Sequence, residues 1–105
     1  MLKYNHQLIK TLSKNDEFSK IPCEHIKLVD MDKNGNTTGC EECEKIRDKW
    51  VHLRVCLSCG KVGCCDNSKN KHATKHFKNT NHPMIRSYEP NEYWKWCYVD
   101  ELLID

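Results

Sequence analysis

Apolar positions fall in short bursts separated by polar stretches, and few bursts are long enough to span a buried element. Over residues 1–20 only Leu8, Ile9 and Leu12 could line one side of a short helix. Ile26 to Asp30 is a short apolar run that predicts a strand. Trp50 to Val55 alternates, with Val51, Leu53 and Val55 on one side, the period of a half-buried strand. Asn67 to Asn79 predicts a helix with Asn67 or Ser68 as its N-cap. Met84 to Tyr88 and Tyr93 to Val99, rich in β-branched and aromatic residues, predict two strands joined by a turn at Glu89 to Asn91. Asp32 to Gly39 is a turn-rich loop whose Asn34-Gly35 step suits a tight turn. The mixture predicts a single α+β domain.

Composition makes that domain hard to stabilise by burial alone. Of 105 residues, Leu, Ile, Val and Phe together number 21, near the lower limit for a self-folding globular chain. A core this small is marginal without a staple, and eight cysteines with six histidines are the candidates. The same arithmetic argues against an enzyme with a large pocket and against a membrane protein. Seventeen basic against fifteen acidic residues leave a formal charge of +2, too balanced for a dedicated phosphate-backbone binder. Met1 to Lys20 has no apolar run of the kind that marks a secretory signal. The expected compartment is therefore cytoplasmic, where clustered cysteines act as metal or redox groups and not as a disulfide framework.

The ligand-type residues form a dense series: Cys23-x-His25, Cys40-x2-Cys43, Cys56-x2-Cys59, Cys64-Cys65, His72-x3-His76-x5-His82 and Cys97. A C-x2-C step brings two thiolates to one tetrahedral metal from a single turn, and two such knuckles are a strong signal. Soft thiolate with imidazole selects zinc over magnesium or calcium. No βαβ pattern surrounds either pair, which argues against a thioredoxin-like redox role. Position alone would place His72 and His76 on one helix face and one metal.

Two narrower motifs are set aside. Cys56-x2-Cys59-x12-His72-x3-His76 has the spacing of a DNA-reading finger, but Gly63 and Lys69 stand where that module carries its core apolar residues. Asp30 to Glu41 satisfies the calcium-loop pattern, with Asp30, Asp32, Asn34, Gly35 and Glu41 in place, yet it ends inside a cysteine knuckle and reads as a polar turn.

Together CEH, CEEC, CLSCGKVGCC, HATKHFKNTNHP and WKWCYVDE resemble the UBP-type zinc finger. This ubiquitin-binding module accompanies many deubiquitinases and one histone deacetylase, and some bacterial chains look like stand-alone versions. The resemblance covers residues 22–105, leaving 1–21 as a polar N-terminal extension. It implies a small twisted sheet, antiparallel or mixed, packed with one or two helices and held by zinc. By position, one zinc takes Cys40, Cys43, Cys64 and His72, and a second takes Cys56, Cys59, His76 and His82. Cys65 stands beside Cys64, and the spacing from Cys59 favours Cys64 as the ligand. Relatives with a third zinc use Cys-x-His near the start and Cys-x2-Cys near the end. Here Cys23 and His25 are joined by Cys97 and Asp100, a carboxylate being an acceptable zinc ligand. Three zinc ions are expected, two at minimum.

Relatives that bind ubiquitin hold its C-terminal tail between aromatic walls, with an arginine on the terminal carboxylate. Trp96 and Tyr98 match the walls by position, while Asp66 occupies the arginine position and opposes a carboxylate. Ubiquitin itself is thus a doubtful partner, and recognition of some other protein or peptide terminus is the leading expectation. Lys61 and Arg54 are alternative cations that the sequence does not place. The competing reading is nucleic-acid binding through Lys71, Lys75 and Lys78, which share a helical face. Catalysis is not expected, because sites closed by four protein ligands leave no position for substrate or activated water.

Overall fold

A computed structural model describes residues 3–4 and 23–105. The helix face suggested by Leu8, Ile9 and Leu12 lies outside the described residues.

The sheet grows from the segment whose alternation is clearest. In β2 (Leu53–Cys56) Leu53 and Val55 are buried, and across the ladder they face Cys64 and Val62 of β3 (Val62–Cys64). On its other side β2 pairs with β4 (Met84–Ser87), which pairs with β5 (Lys95–Cys97), which pairs with β6 (Leu102–Ile104). These five strands are antiparallel throughout. A short β1 (Lys3–Tyr4) lies parallel to β6 and closes the order β1-β6-β5-β4-β2-β3. The expected strands over 84–88 and 93–99 are therefore present with trimmed ends, and that over 50–55 is shifted to 53–56, leaving Val51 exposed.

Two helices pack near β3. The first, α1 (Glu41–Ile46), begins at Cys40 and carries Glu41, Glu42 and Glu44 in its first turn, where negative charge suits the positive end of the helix dipole. The second, α2 (His72–Thr80), starts five residues later than the sequence predicts. Ser68 is buried and takes the Val51 amide at 2.8 Å, so its hydroxyl serves the edge of the sheet instead of a helix end. Lys71 precedes the helix in a left-handed conformation with no side-chain cap. The expected strand at Ile26 to Asp30 is instead a 3-10 turn, Glu24–Leu28, none of whose residues is buried. The physical reason is that its apolar residues only edge the core, Ile26 and Val29 being partly buried, and the Ile26 amide turns back to the Cys23 carbonyl at 3.3 Å instead of joining a ladder.

Cysteines fill much of the interior. One core cluster joins Cys23, Leu57, Met84, Cys97, Leu102 and Ile104; the other joins Cys40, Cys43, Leu53, Val55, Val62 and Cys64. Gly63 allows the second cluster to close. A Cβ there would lie 2.7 Å from the backbone nitrogen of Ala73, so only glycine lets α2 sit directly on β3.

The calcium-loop match is absorbed by structure. Glu41 accepts the Val62 amide at 3.0 Å, the Asn36 side chain donates to the Cys59 carbonyl, and Arg86 donates twice to the Lys33 carbonyl. The segment is a strap laid over the second knuckle.

Candidate metal centres and binding cleft

Three groups of ligand side chains converge: Cys40, Cys43, Cys64 and His72; Cys56, Cys59, His76 and His82; Cys23, His25, Cys97 and Asp100. Within each group the ligand atoms lie within 4.8 Å of one another. Zinc–sulfur bonds of about 2.3 Å and zinc–nitrogen bonds of about 2.05 Å at tetrahedral angles imply sulfurs about 3.8 Å apart, sulfur and nitrogen about 3.5 Å apart, and nitrogens about 3.3 Å apart.

The first centre meets those separations. Cys43 Sγ lies 3.8 Å from Cys64 Sγ, and His72 Nδ1 lies 3.3 Å from Cys40 and Cys43 and 3.6 Å from Cys64. Cys40 and Cys43 come from the start of α1, Cys64 from the end of β3 and His72 from the first turn of α2. The His72 amide donates to Cys64 Sγ at 3.2 Å and the Asn70 side chain to Cys43 Sγ at 3.7 Å. Such donors stabilise thiolate and orient the ligands.

In the second centre Cys56 Sγ is 3.5 Å from His82 Nδ1, Cys59 Sγ is 3.4 Å from His76 Nε2, and the two nitrogens are 3.3 Å apart. Its knuckle closes on Gly60, whose φ of 82° is in the region that favours glycine and whose amide donates to the Cys56 carbonyl at 2.8 Å. His72 and His76, one helical turn apart, thus belong to different centres: α2 lies between the two. The finger made of Cys56, Cys59, His72 and His76 does not form.

The third centre gathers Cys23 and His25 from the 3-10 turn with Cys97 and Asp100 from the end of β5. His25 Nδ1 stands 3.3 Å from Cys23, 3.5 Å from Cys97 and 3.1 Å from Asp100 Oδ2, and Asp100 Oδ2 lies 3.8 Å from Cys97. Cys65 joins none of these groups and contacts the Ser68 hydroxyl.

Protonation follows burial. Burial first, then neighbouring hydrogen bonds, pushes the Cys43 and Cys23 thiols up to about 12, and burial also raises Cys40 and Cys56. Burial lowers His72 and His76 from the ordinary imidazole value, keeping both neutral as a metal requires. Hydrogen bonds from Cys23 and then His25 hold Asp100 below the usual carboxylate range. The donor sets, neutral imidazoles with thiols that a dication would deprotonate, fit zinc in all three places.

Beside β5 lies a cleft of about 260 Å³ lined by Trp94, Trp96, Tyr98, Leu103, Arg54 and Asp66, among others. Both expected aromatic residues therefore face one space. Tyr98 stacks on Phe77 with centroids 4.6 Å apart, and burial pushes its hydroxyl up to about 12, leaving it a neutral hydrogen-bonding group. Sequence reasoning missed Trp94, although its i, i+2 spacing from Trp96 was a visible signal. The position of the cation was not visible. Lys61 is bound to Glu42 at 2.6 Å, in a separate hollow with His72, Lys75 and His76. Arg54 enters the cleft, its guanidinium 4.6 Å from the Trp94 ring centroid and donating to the Leu53 carbonyl at 2.9 Å. Lys71, Lys75 and Lys78 are exposed, but Lys71 lies outside the helix and breaks the row.

Residues 40–104 match the family model of the zinc finger in ubiquitin hydrolases and other proteins. The chain belongs to this family. The UBP-type finger is a zinc-binding module and not a catalytic domain. Among similar proteins, the NAD-dependent deacetylase sir2A of Dictyostelium discoideum is 36% identical over 69 residues, 66% of this chain and 12% of that protein. Ubiquitin carboxyl-terminal hydrolase 44 of Danio rerio is 35% identical over 82 residues, 73% of this chain and 11% of that protein. The chain spans about an eighth or less of the length of these curated relatives. A Rhodopseudomonas palustris protein solved by solution NMR aligns with a TM-score of 0.74 and 51% identity, over 82% of this chain and 83% of that one. No helix among the described residues is long and apolar enough to cross a membrane.

Proposed function

We propose that this UBP-type finger, spanning residues 22–105, holds three zinc ions in the three centres and recognises the free C-terminus of a protein or peptide in the aromatic cleft. The observation that carries the reading is Arg54. It is half-buried in the cleft, its fork spread over Trp94, and it makes no ion pair among the described residues. A guanidinium offers a terminal carboxylate two parallel hydrogen bonds. It supplies the cation that Asp66 removes from the family position. Trp94, Trp96 and Tyr98 present flat faces that hold an extended small-residue tail, and the cleft is smaller than the roughly 300–1,000 Å³ of drug-sized sites, which suits a chain end. All eight cysteines are free of disulfides, in keeping with a reducing compartment such as the cytoplasm.

Calorimetric titration of the zinc-loaded protein with a glycine-ended peptide, as free acid and as C-terminal amide, tests the reading. The acid is expected to bind at least about tenfold more tightly, with Arg54→Ala abolishing the difference and Arg54→Lys restoring part of it. Ubiquitin and its tail-truncated form decide whether ubiquitin is among the partners. Equal binding of acid and amide would overturn the reading.

A further inference from the structure

The third centre and the aromatic cleft are built on the same three strands. Across β4, β5 and β6 the register sets Ile85 beside Trp96 and Trp96 beside Leu103, and all three line the cleft. One position along, it sets Met84 beside Cys97 and Cys97 beside Leu102, and these meet in the core cluster that also holds Cys23. Successive strand residues point to opposite faces. The cleft floor and the third centre therefore lie back to back on the sheet, one residue apart at Trp96 and Cys97. The turn between β5 and β6 ties them further. Residues 98–101 carry both Tyr98, which lines the cleft, and Asp100, whose amide donates to Cys97 Sγ at 3.4 Å. Glu101 closes that turn with a φ of 53°, a left-handed conformation that a side chain disfavours and that its surroundings must hold.

This centre also holds its ion least firmly. One of its four donors is a carboxylate, a harder ligand than thiolate or imidazole. The Asp100 side chain is 42% exposed, whereas no ligand of the other two groups is exposed. Resting on the terminus-binding reading, we infer that the third centre is a zinc-responsive switch for the cleft, with Asp100 as its positioning residue. With Cys23, His25, Cys97 and Asp100 drawn to one ion, the hairpin is pinned from behind and Trp96, Tyr98 and Leu103 are set for binding. Without the ion, Cys97 and Asp100 are no longer tied to Cys23 and His25, the turn relaxes, and the wall it carries loses its position. The Tyr98 amide still donates to the Pro83 carbonyl at 2.8 Å and its ring still stacks on Phe77, so the loss is graded and not total. The coupling is reciprocal: an occupied cleft favours the ion by the same factor by which the ion favours the occupant.

The test uses the full chain in zinc buffered by a chelator, with the ion count read by native mass spectrometry. The first readout needs no ligand. Between two and three ions the indole N–H signals of Trp94 and Trp96 are expected to shift, while that of Trp50, packed on the other core cluster, stays. The second is affinity for a glycine-ended free-acid peptide, expected to be about tenfold weaker at two ions than at three. Saturating peptide should raise affinity for the third ion by the same factor. Asp100→Ala should reproduce the spectrum and affinity of the two-ion wild type and ignore added zinc, which also identifies the ion that left. Asp100→Cys should restore tight binding and hold it at lower free zinc, an outcome that a merely structural role for the turn would not give. Unchanged indole signals and equal peptide affinity at two and three ions would overturn the switch. So would a wild type that takes only two ions, or loss of the β2–β4 amide signals with the third ion, which would make the centre a staple of the whole fold. If acid and amide peptides bind alike at every zinc level, the terminus reading falls, and the indole signals alone decide the coupling.

Discussion

The first and third centres use similar parts in opposite settings. In the first, all three thiols are fully buried and continuous with the Leu53, Val55 and Val62 core, and two N–H groups donate to its sulfurs. The third replaces one thiol by Asp100, whose side chain is 42% exposed, and joins the 3-10 turn to the far end of β5. It is also the only one of the three groups with ligands ahead of the family match, because Cys23 and His25 precede residue 40. The thiols of the third centre, Cys23 and Cys97, are buried in the other core cluster, and only its Asp100 corner opens to solvent, so that corner can be lost with less damage than a thiol of the first centre.

Removing one ligand from each centre should expose the difference most strongly. Cys43→Ser takes a thiolate from the buried set, and structural zinc in small fingers contributes roughly 10–16 kcal/mol. The expected outcome is loss of cooperative thermal unfolding and of dispersed amide signals, as full chelation would also give. Asp100→Ala should drop the zinc count from three to two by native mass spectrometry while the β2–β4 amides keep their shifts. A count of two in both wild type and Asp100→Ala would remove Asp100 from the ligand set.

Acid should separate the two centres next. Without metal, the Cys40 and Cys43 thiols are raised and so protonated at neutral pH, and zinc must displace those protons. At the third centre Cys23 is raised likewise, but Asp100 is lowered and already ionised. Raised thiols favour the metal-free fold below the ordinary cysteine value of 9.0, a contribution lost as pH rises toward about 12 for Cys43. Zinc reverses the sense, since the bound form needs thiolate and is lost as pH falls. Apparent zinc affinity of the first centre should fall by about two decades per pH unit or more, and that of the third more gently. Chelator competition followed between about pH 6 and 8 reads both slopes. Equal slopes would mean that the two centres release the same number of protons on binding zinc.

How much of this was legible beforehand depends on the kind of signal. The side chains that converge could be named because metal chemistry restricts which residues serve as ligands and C-x2-C restricts their spacing. Separation of His72 from His76 ran against helix geometry; it came from the resemblance, and the position of α2 between two centres is its physical basis. Short elements were illegible for lack of length: α1, β3 and β6 are six, three and three residues long. No periodicity can accumulate in such spans. Ile26 to Asp30 misread as a strand because its apolar run is too short to show a period, and none of the residues of the 3-10 turn it enters is buried. Arg54 was named but not placed, since only the pairing of β2 with β4 and the course of Trp94 bring the two together.

Gly63 was noted first for the core apolar residue it lacks, and its role is closer approach. Gly63→Ala sets a methyl 2.7 Å from the Ala73 nitrogen and 3.0 Å from its Cα, both backbone atoms that cannot step aside alone. Helix α2 must then lift from β3, drawing His72 from Cys64. Overpacking of this kind costs about 1–3 kcal/mol, and the first centre should weaken with it. The measurement is midpoint and zinc affinity together. A lowered midpoint with unchanged affinity at the first centre would show that α2 yields elsewhere.

The smallest effect is expected where charge is most conspicuous. Glu42 is held near 2 by hydrogen bonds from Lys61 and then Lys45, and the three lie beside the first centre without entering it. Because its folded value is lowered, the contribution is present above the ordinary value of 4.5 and lost as pH falls through about 2. The carboxylate is about a third exposed and Lys45 is two-thirds exposed, so water and salt screen the pair. Glu42→Gln should therefore lower stability by no more than about 1 kcal/mol and leave the zinc count at three. Asp100→Asn changes a carboxylate no more buried than Glu42, yet it should cost a metal ion. The two amide variants, matched in chemistry and exposure, isolate what a carboxylate does as a ligand from what it does as a surface charge. If Glu42→Gln lost zinc from the first centre, the hollow shared by Lys61, His72, Lys75 and His76 would belong to the metal site, and the buried centre would be less closed than its thiols suggest.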